Sequence, residues 1–379
     1  MSECSAKGII KKLLDYKYKF FDENVEDSCS VDNPIVIMPP TDAEMSLLRV
    51  YAFGGCIGYV SIFDKGSKIA KIKEYDKYLI DGYMNGYNHI FVLNKDLKSK
   101  YIDKDADEEK NRTCVCNALN TIVTKKILPD ALICDDEYLD LIVSAAYTRF
   151  LHREGGVATP LAAQERSRQM CIAKSSTQSK YCDNALLVVD VEFDIDLKND
   201  QYEPIYHYSK SSKKWNEHRK AKVDFVVFDG SSFGLVEFKY LGDSMKADSE
   251  NSLKNHYIDF KRILVEDKNN LEILWNAICE RASCLFEYDV VKDPKWKDLF
   301  ERAKNNGYKE DLIWCGFYFM GDKNSTKFKK GCADIEGEVK KQLSEFFVEG
   351  AEHPIVKYCK TDINDNSFVM TRDIREIMV

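Results

Sequence analysis

The segment 222–240, KVDFVVFDGSSFGLVEFKY, constrains the fold of this chain more than any other. Two apolar runs rich in Val, Phe and Leu, at 223–228 and 233–240, flank Asp229-Gly230-Ser231-Ser232, whose residue types favour a turn. The pattern predicts a β-hairpin. Three charges sit on these runs: Asp224, Glu237 and Lys239. Charges among so many apolar residues need a partner or a metal, because burying them bare is costly.

Loop length decides the register. A four-residue loop pairs Phe228 with Phe233 and sets Asp224 opposite Glu237. A two-residue loop of Asp229-Gly230 pairs Phe228 with Ser231 and sets Glu237 opposite Lys222. In both registers Asp224 and Glu237 share a face, because antiparallel pairing conserves parity. Lys239, two residues further on, shares that face at a distance of about 7 Å along the strand. Asp229 reads as a turn residue, and as the fallback ligand in another register.

Two carboxylates within about 5 Å on one sheet face repel each other. A divalent cation between them turns that repulsion into attraction. Mg²⁺ suits the position, with Mn²⁺ as its substitute, since it takes few carboxylate oxygens, keeps waters and accepts phosphate oxygens. The expected metal ligands are Asp224, Glu237 and the backbone carbonyl of Phe238. Such a constellation can hydrolyse a phosphodiester: the metal lowers the pKa of a bound water, and Lys239 orients that water and offsets transition-state charge.

Asp224, the turn, and Val236-Glu237-Phe238-Lys239 resemble the motif of the PD-(D/E)xK nuclease superfamily, whose fold is restriction-endonuclease-like. The run LLVVDVEFDI (186–195) resembles that family's first core strand, and LIWCGFYFM (312–320) a later one. The resemblance spans roughly 136–320, with its specific part confined to 224–239. Val223 stands where the family often has proline. The family's helix glutamate has only Glu154 and Glu165 as weak candidates, and Asn255 or His256 could supply the polar residue of the following helix. The resemblance implies a magnesium-dependent (endo)deoxyribonuclease with Asp224, Glu237 and Lys239 as its catalytic residues. A catalytically inactive module of the same fold, binding nucleic acid or a protein, is the alternative.

Ahead of the hairpin, Lys210, Lys213, Lys214, Arg219, Lys220 and Lys222 outnumber Glu217 and are interleaved with Tyr208 and Trp215. These positions suit phosphate neutralisation and base stacking; a merely solvated loop is the plainer reading. Nucleic acid, by analogy DNA, is the expected partner, and paired cuts on a duplex make a homodimer a natural assembly. Asp190 and Glu192 are expected on the solvated face of their strand, with a part in binding a second metal as the alternative for both and Glu192 as the accessory candidate. His256 is expected more simply on a solvated helix face than as a base.

At 379 residues the chain can hold two or three domains. The expected organisation is an N-terminal α+β domain over 1–128 and a nuclease-like α+β / α/β domain over 129–379, with a mixed central sheet flanked by helices. The charge-dense stretch 103–112 is the best boundary candidate. Helices are expected over 9–21, near 76–84, and over 136–151, 160–174, 253–264, 271–286, 294–305 and 334–349. Strands are expected between 47 and 93 and over 354–359, with loops around Pro34 and Pro39-Pro40. The net charge of −8 argues against nucleic acid coating the whole surface, but not against a local basic groove. The 13 cysteines include no Cys-x-x-Cys pair and read mostly as reduced thiols. With no apolar signal core or spanning run, a cytoplasmic protein without membrane contact is expected.

Overall fold

The computed structural model describes residues 6–17, 33–40, 47–61, 90–93, 99–102, 143, 161–183, 185–196, 205–209, 214–218, 220–240, 253–321, 343, 356–362 and 375–376. The chain divides into two compact units, Met1–Lys174 with Ser283–Val290, and Ser175–Ala282 with Val291–Val379. The expected boundary at 128/129 and the charged stretch 103–112 lie outside the described residues. So do the expected helices near 76–84, over 136–151 and over 334–349, apart from Val143 and Leu343, which are helical.

In the first unit, helix α1 (Ala6–Leu14) lies beside an antiparallel sheet of β1 (Ile35–Met38), β2 (Leu47–Ala52) and β3 (Gly55–Ser61), in the order β1-β2-β3. Asn33 ties helix to sheet: its Nδ2 donates to the carbonyls of Leu13 and Leu14 at 2.9 and 2.8 Å, and its Oδ1 accepts from Ile35 N–H at 2.8 Å. This satisfies carbonyls that a helix end leaves without partners. Strand β1 stands where proline signals predicted a loop. The prolines fall outside its four apolar residues, all of which are buried. Phe53 and Gly54, with φ of 51° and 92°, make the tight turn between β2 and β3. Strands β4 (Ile90–Leu93) and β5 (Ser99–Ile102) pair antiparallel as a separate ribbon.

Helix α2 (Leu161–Gln178) and, later, α4 (Leu271–Glu287) have residues in both units. The second unit is built on a six-stranded mixed sheet. Strands β6 (Leu187–Asp196), β9 (Lys220–Phe228) and β10 (Phe233–Tyr240) are mutually antiparallel. Strand β11 (Ile313–Gly321) runs parallel to β10, β12 (Val356–Asp362) parallel to β11, and β13 (Arg375–Glu376) antiparallel to β12. The spatial order is β13-β12-β11-β10-β9-β6. Between β6 and β9, β7 (Ile205–Ser209) and β8 (Lys214–His218) form a two-stranded ribbon where a basic loop was one expectation.

A parallel β10–β11 pair demands a crossover, here made by α3 (Leu253–Lys261), α4 and α5 (Pro294–Asn306). Between α3 and α4 the chain forms a π-helical turn, Arg262–Glu266, then a 3₁₀ turn, Lys268–Asn270. Aromatic contacts lock these helices to the sheet: Phe228 meets Phe300 and Trp296 at 5.9 and 6.1 Å, Phe233 meets Trp275 at 4.7 Å, and Phe260 meets Phe317 at 5.3 Å. Asp293 caps α5 by accepting from Lys295 N–H at 2.9 Å, and it also accepts from Tyr181 N–H at 2.8 Å. Strand β11, flanked on both edges, is buried from Ile313 to Met320, as its continuous apolar run predicts. Gly234 on β10 admits the Trp314 indole of β11, which would lie 2.3 Å from any Cβ placed there.

Among the described residues Cys182, Cys279, Cys284 and Cys315 are free thiols, in keeping with mostly reduced cysteines, while Cys171 is disulfide-bonded. Disulfides follow proximity in the fold, which spacing along the chain does not reveal.

Candidate functional site at the β9–β10 hairpin

The turn is the four-residue one. Phe228 pairs with Phe233 and the ladder continues through Val236 and Phe225. Asp229 closes the turn. Its N–H donates to Ser232 O at 3.1 Å, its Oδ1 accepts from the N–H groups of Ser231 and Ser232 at 2.9 and 2.8 Å, and its Oδ2 accepts from Ser232 Oγ at 2.6 Å. Burial alone would raise the Asp229 pKa, but hydrogen bonds from Ser232 and Ser231 together outweigh it and lower it. Asp229 is thus the turn residue expected from its sequence context.

One step beyond the last rung, Asp224 stands across from Glu237. The backbone pairing is replaced there by a side chain: Asp224 Oδ2 accepts from Phe238 N–H at 2.8 Å. The N–H and C=O of one strand residue point to the same edge, so the Phe238 carbonyl also faces β9. The carboxyl groups of Asp224 and Glu237 thus face each other across the hairpin on one side of the sheet. Burial first, and then the Asp224 charge, push the Glu237 pKa well up, with Lys239 opposing.

Lys239 Nζ lies 3.0 Å from Glu237 Oε1, and both side chains are buried. Helix α3 adds His256, whose Nε2 is 3.1 Å from Glu237 Oε1 and 3.1 Å from Lys239 Nζ. The expectation of a solvated His256 is therefore overturned. Helical spacing carried the signal, since 256 lies three residues from Leu253 and four from Phe260, both fully buried. Asn255, the other candidate on that helix, is buried.

The acidic face of β6 is not uniformly solvated. Asp190 is buried and its Oδ2 is 2.5 Å from Arg281 of α4, whose guanidinium also lies 4.3 Å over the Phe193 ring. The expectation of a solvated Asp190 fails because α4 covers that end of the strand. Glu192 is half-buried, has a φ of 51°, and lies 3.6 Å from exposed Lys222. It falls between the Val191–Phe225 and Phe193–Val223 pairs, opposite Asp224. Lys214 and Lys220 begin β8 and β9, whereas Lys210, Lys213, Arg219 and Glu154 lie outside the described residues. Glu165 is a half-buried residue of α2.

Among the described residues no group of three or more His, Cys, Asp or Glu side chains gathers as a metal cluster. A cation at the hairpin would find two carboxylates and the Phe238 carbonyl as donors. Glu237, destabilised as an anion, fits a position next to a divalent cation, and so small a protein donor set suits Mg²⁺ with water and phosphate oxygens completing its shell. Among the described residues no helix is long and apolar enough to cross a membrane. Neither protein-family models, nor curated proteins, nor solved structures gave a match to this chain.

Proposed function

We propose that this protein is a metal-dependent nuclease of PD-(D/E)xK type, hydrolysing phosphodiester bonds in nucleic acid, by analogy DNA. The observation that carries the reading is the convergence of Asp224, Glu237 and Lys239 on one sheet face, with Asp224 across from Glu237 one step beyond the last rung and Lys239 Nζ 3.0 Å from Glu237 Oε1. The order α2, β6, β9, β10, then helices, then β11 parallel to β10 supports a restriction-endonuclease-like core.

Asp224, Glu237 and the Phe238 carbonyl would hold Mg²⁺ or Mn²⁺. When bound, the cation supplies Lewis acidity and an activated water. Lys239 carries a buried positive charge beside that position, where it orients the attacking water and offsets charge developing on the phosphate. Asp224 is aimed by the Phe238 N–H, so its carboxylate is pre-set rather than recruited. Lys213, Lys214, Arg219, Lys220 and Lys222, in sequence just before the site, would neutralise substrate phosphates. A homodimer would place two such sites on a duplex.

A second reading has its own observation. Glu237 and Lys239 are buried and already paired at 3.0 Å, as in a structural ion pair of an inactive module that binds nucleic acid or protein. Incubating wild type, Asp224→Ala and Lys239→Ala with linear DNA, circular DNA and RNA, in Mg²⁺ or EDTA, separates the two. Cleavage by wild type in Mg²⁺, lost in EDTA and in both variants, is the expected result. Equal cleavage by all three proteins would overturn the site, and no cleavage by wild type would favour the inactive module.

A further inference from the structure

Glu192 of β6 and Lys222 of β9 meet on the side of the sheet that carries Asp224. The ladder sets Glu192 opposite Asp224 and pairs Asp194 with Lys222. Cross-strand partners share a face, and Lys222, two residues from Asp224, shares its face about 7 Å away along β9. The side chains agree with this register: Lys222 Nζ lies 3.6 Å from Glu192 Oε1. Glu192 holds its place with a φ of 51°, a left-handed backbone that an L residue adopts only at a cost. The two lysines on this face differ in access. The Lys239 side chain is 3% exposed and that of Lys222 54% exposed. Of the two, Lys222 is the one placed to meet a phosphate arriving from solvent, and it already has a carboxylate beside it.

We infer that Glu192 is a specificity-determining residue that competes with substrate phosphate for Lys222. Its carboxylate stands in for a phosphate oxygen. A nucleic acid gains the lysine only by displacing that carboxylate, which stays close enough on β6 to repel the phosphate that replaces it. An exposed ion pair is weak, so a substrate that engages the rest of the site overcomes the competition. A phosphate chain held by charge alone does so less well. Built-in repulsion of this kind favours the fitting substrate over non-specific nucleic acid. The inference rests on the nucleic-acid partner proposed above, and it gives Glu192 no part in holding a cation.

The test measures fluorescence anisotropy of a labelled duplex DNA, in EDTA so that nothing is cut, across a series of salt concentrations. It compares wild type with Glu192→Gln and Glu192→Asn. Asparagine tolerates a left-handed backbone, so the second variant covers a folding failure of the first. Both are expected to bind about three- to tenfold more tightly, and to steepen the dependence of log affinity on log salt by about one. Adding Lys222→Met to either should remove both gains. Glu301→Gln, which deletes one carboxylate from an exposed position of α5, controls for net charge. An equal gain in Glu301→Gln overturns the inference, and so does a gain that survives Lys222→Met. No gain in the neutral variants while wild type binds overturns it too, and leaves the nucleic-acid reading standing. Binding by the neutral variants alone supports it. No binding by any of these proteins overturns the inference and the nucleic-acid reading together.

Discussion

Asp224 Oδ2 accepts the backbone N–H of Phe238 at 2.8 Å, so a side chain occupies the place of the next rung in the β9–β10 ladder. The carboxylate is thereby fixed beside Glu237 by the strand that carries Glu237. Two acids are held together without backbone pairing beneath them, and Glu237 bears the electrostatic consequence.

Burial and then Asp224 raise the Glu237 pKa well above the ordinary glutamate value. The folded protein keeps a proton that the unfolded chain has already released. Metal-free protein is therefore expected to lose stability as pH climbs from the ordinary glutamate value to the raised folded one, and to level off above it. Thermal unfolding in EDTA across that window reads the slope, and Glu237→Gln should flatten it. Equal slopes in the two proteins would remove Glu237 as their source.

Lys239→Met removes the buried cation and leaves Glu237 without its 3.0 Å partner. Breaking such a pair costs about 3 kcal/mol at neutral pH. The cost should shrink in acid, where Glu237 takes up a proton. Urea denaturation at the two pH values measures both effects, and cleavage should fall by about a hundredfold or more.

Asp229→Ala deletes the acceptors that close the turn and should cost about 1–2 kcal/mol. The hydrogen bonds hold the folded pKa below the ordinary aspartate value. The contribution is therefore present above that ordinary value and lost as pH falls through the depressed one. Denaturant midpoints of wild type and variant should converge in acid. Cleavage by the folded variant should stay near wild type, because Asp229 serves the turn rather than the metal.

Gly234→Ala places a methyl where the Trp314 ring already lies, 2.3 Å away. An indole packed between strands cannot retreat cheaply, so a loss of about 2 kcal/mol is expected. Calorimetric melting checks it, with an unchanged melting temperature as the contrary result.

Much of this architecture was legible because pattern and environment agreed. The hairpin strands, the apolar run of β11 and the capped, proline-started helix α5 all carry local signals that packing reinforces. Parity placed Asp224, Glu237 and Lys239 on one face before the turn length was known. What escaped depended on neighbours distant in sequence. Asp190 looks like a solvent-facing strand residue until Arg281, ninety-one positions later, arrives above it. Strand β1 hid between prolines that mark its limits rather than forbid it. His256 was legible as a helix-face residue, yet its ring meets Glu237 and Lys239 only because the crossover returns α3 over β10.

The four-residue turn makes the hairpin a counting device. Adding or removing two residues between Phe228 and Phe233 slides Glu237 along β9 but keeps it on the side of Asp224. Adding or removing one carries Glu237 and Lys239 through the sheet to the opposite side, where His256 cannot follow. With the turn kept at four residues, an even change therefore separates Glu237 from Asp224 by about 7 Å along the strand and an odd one by the whole thickness of the sheet, so turn length is as much a part of the site as its side chains.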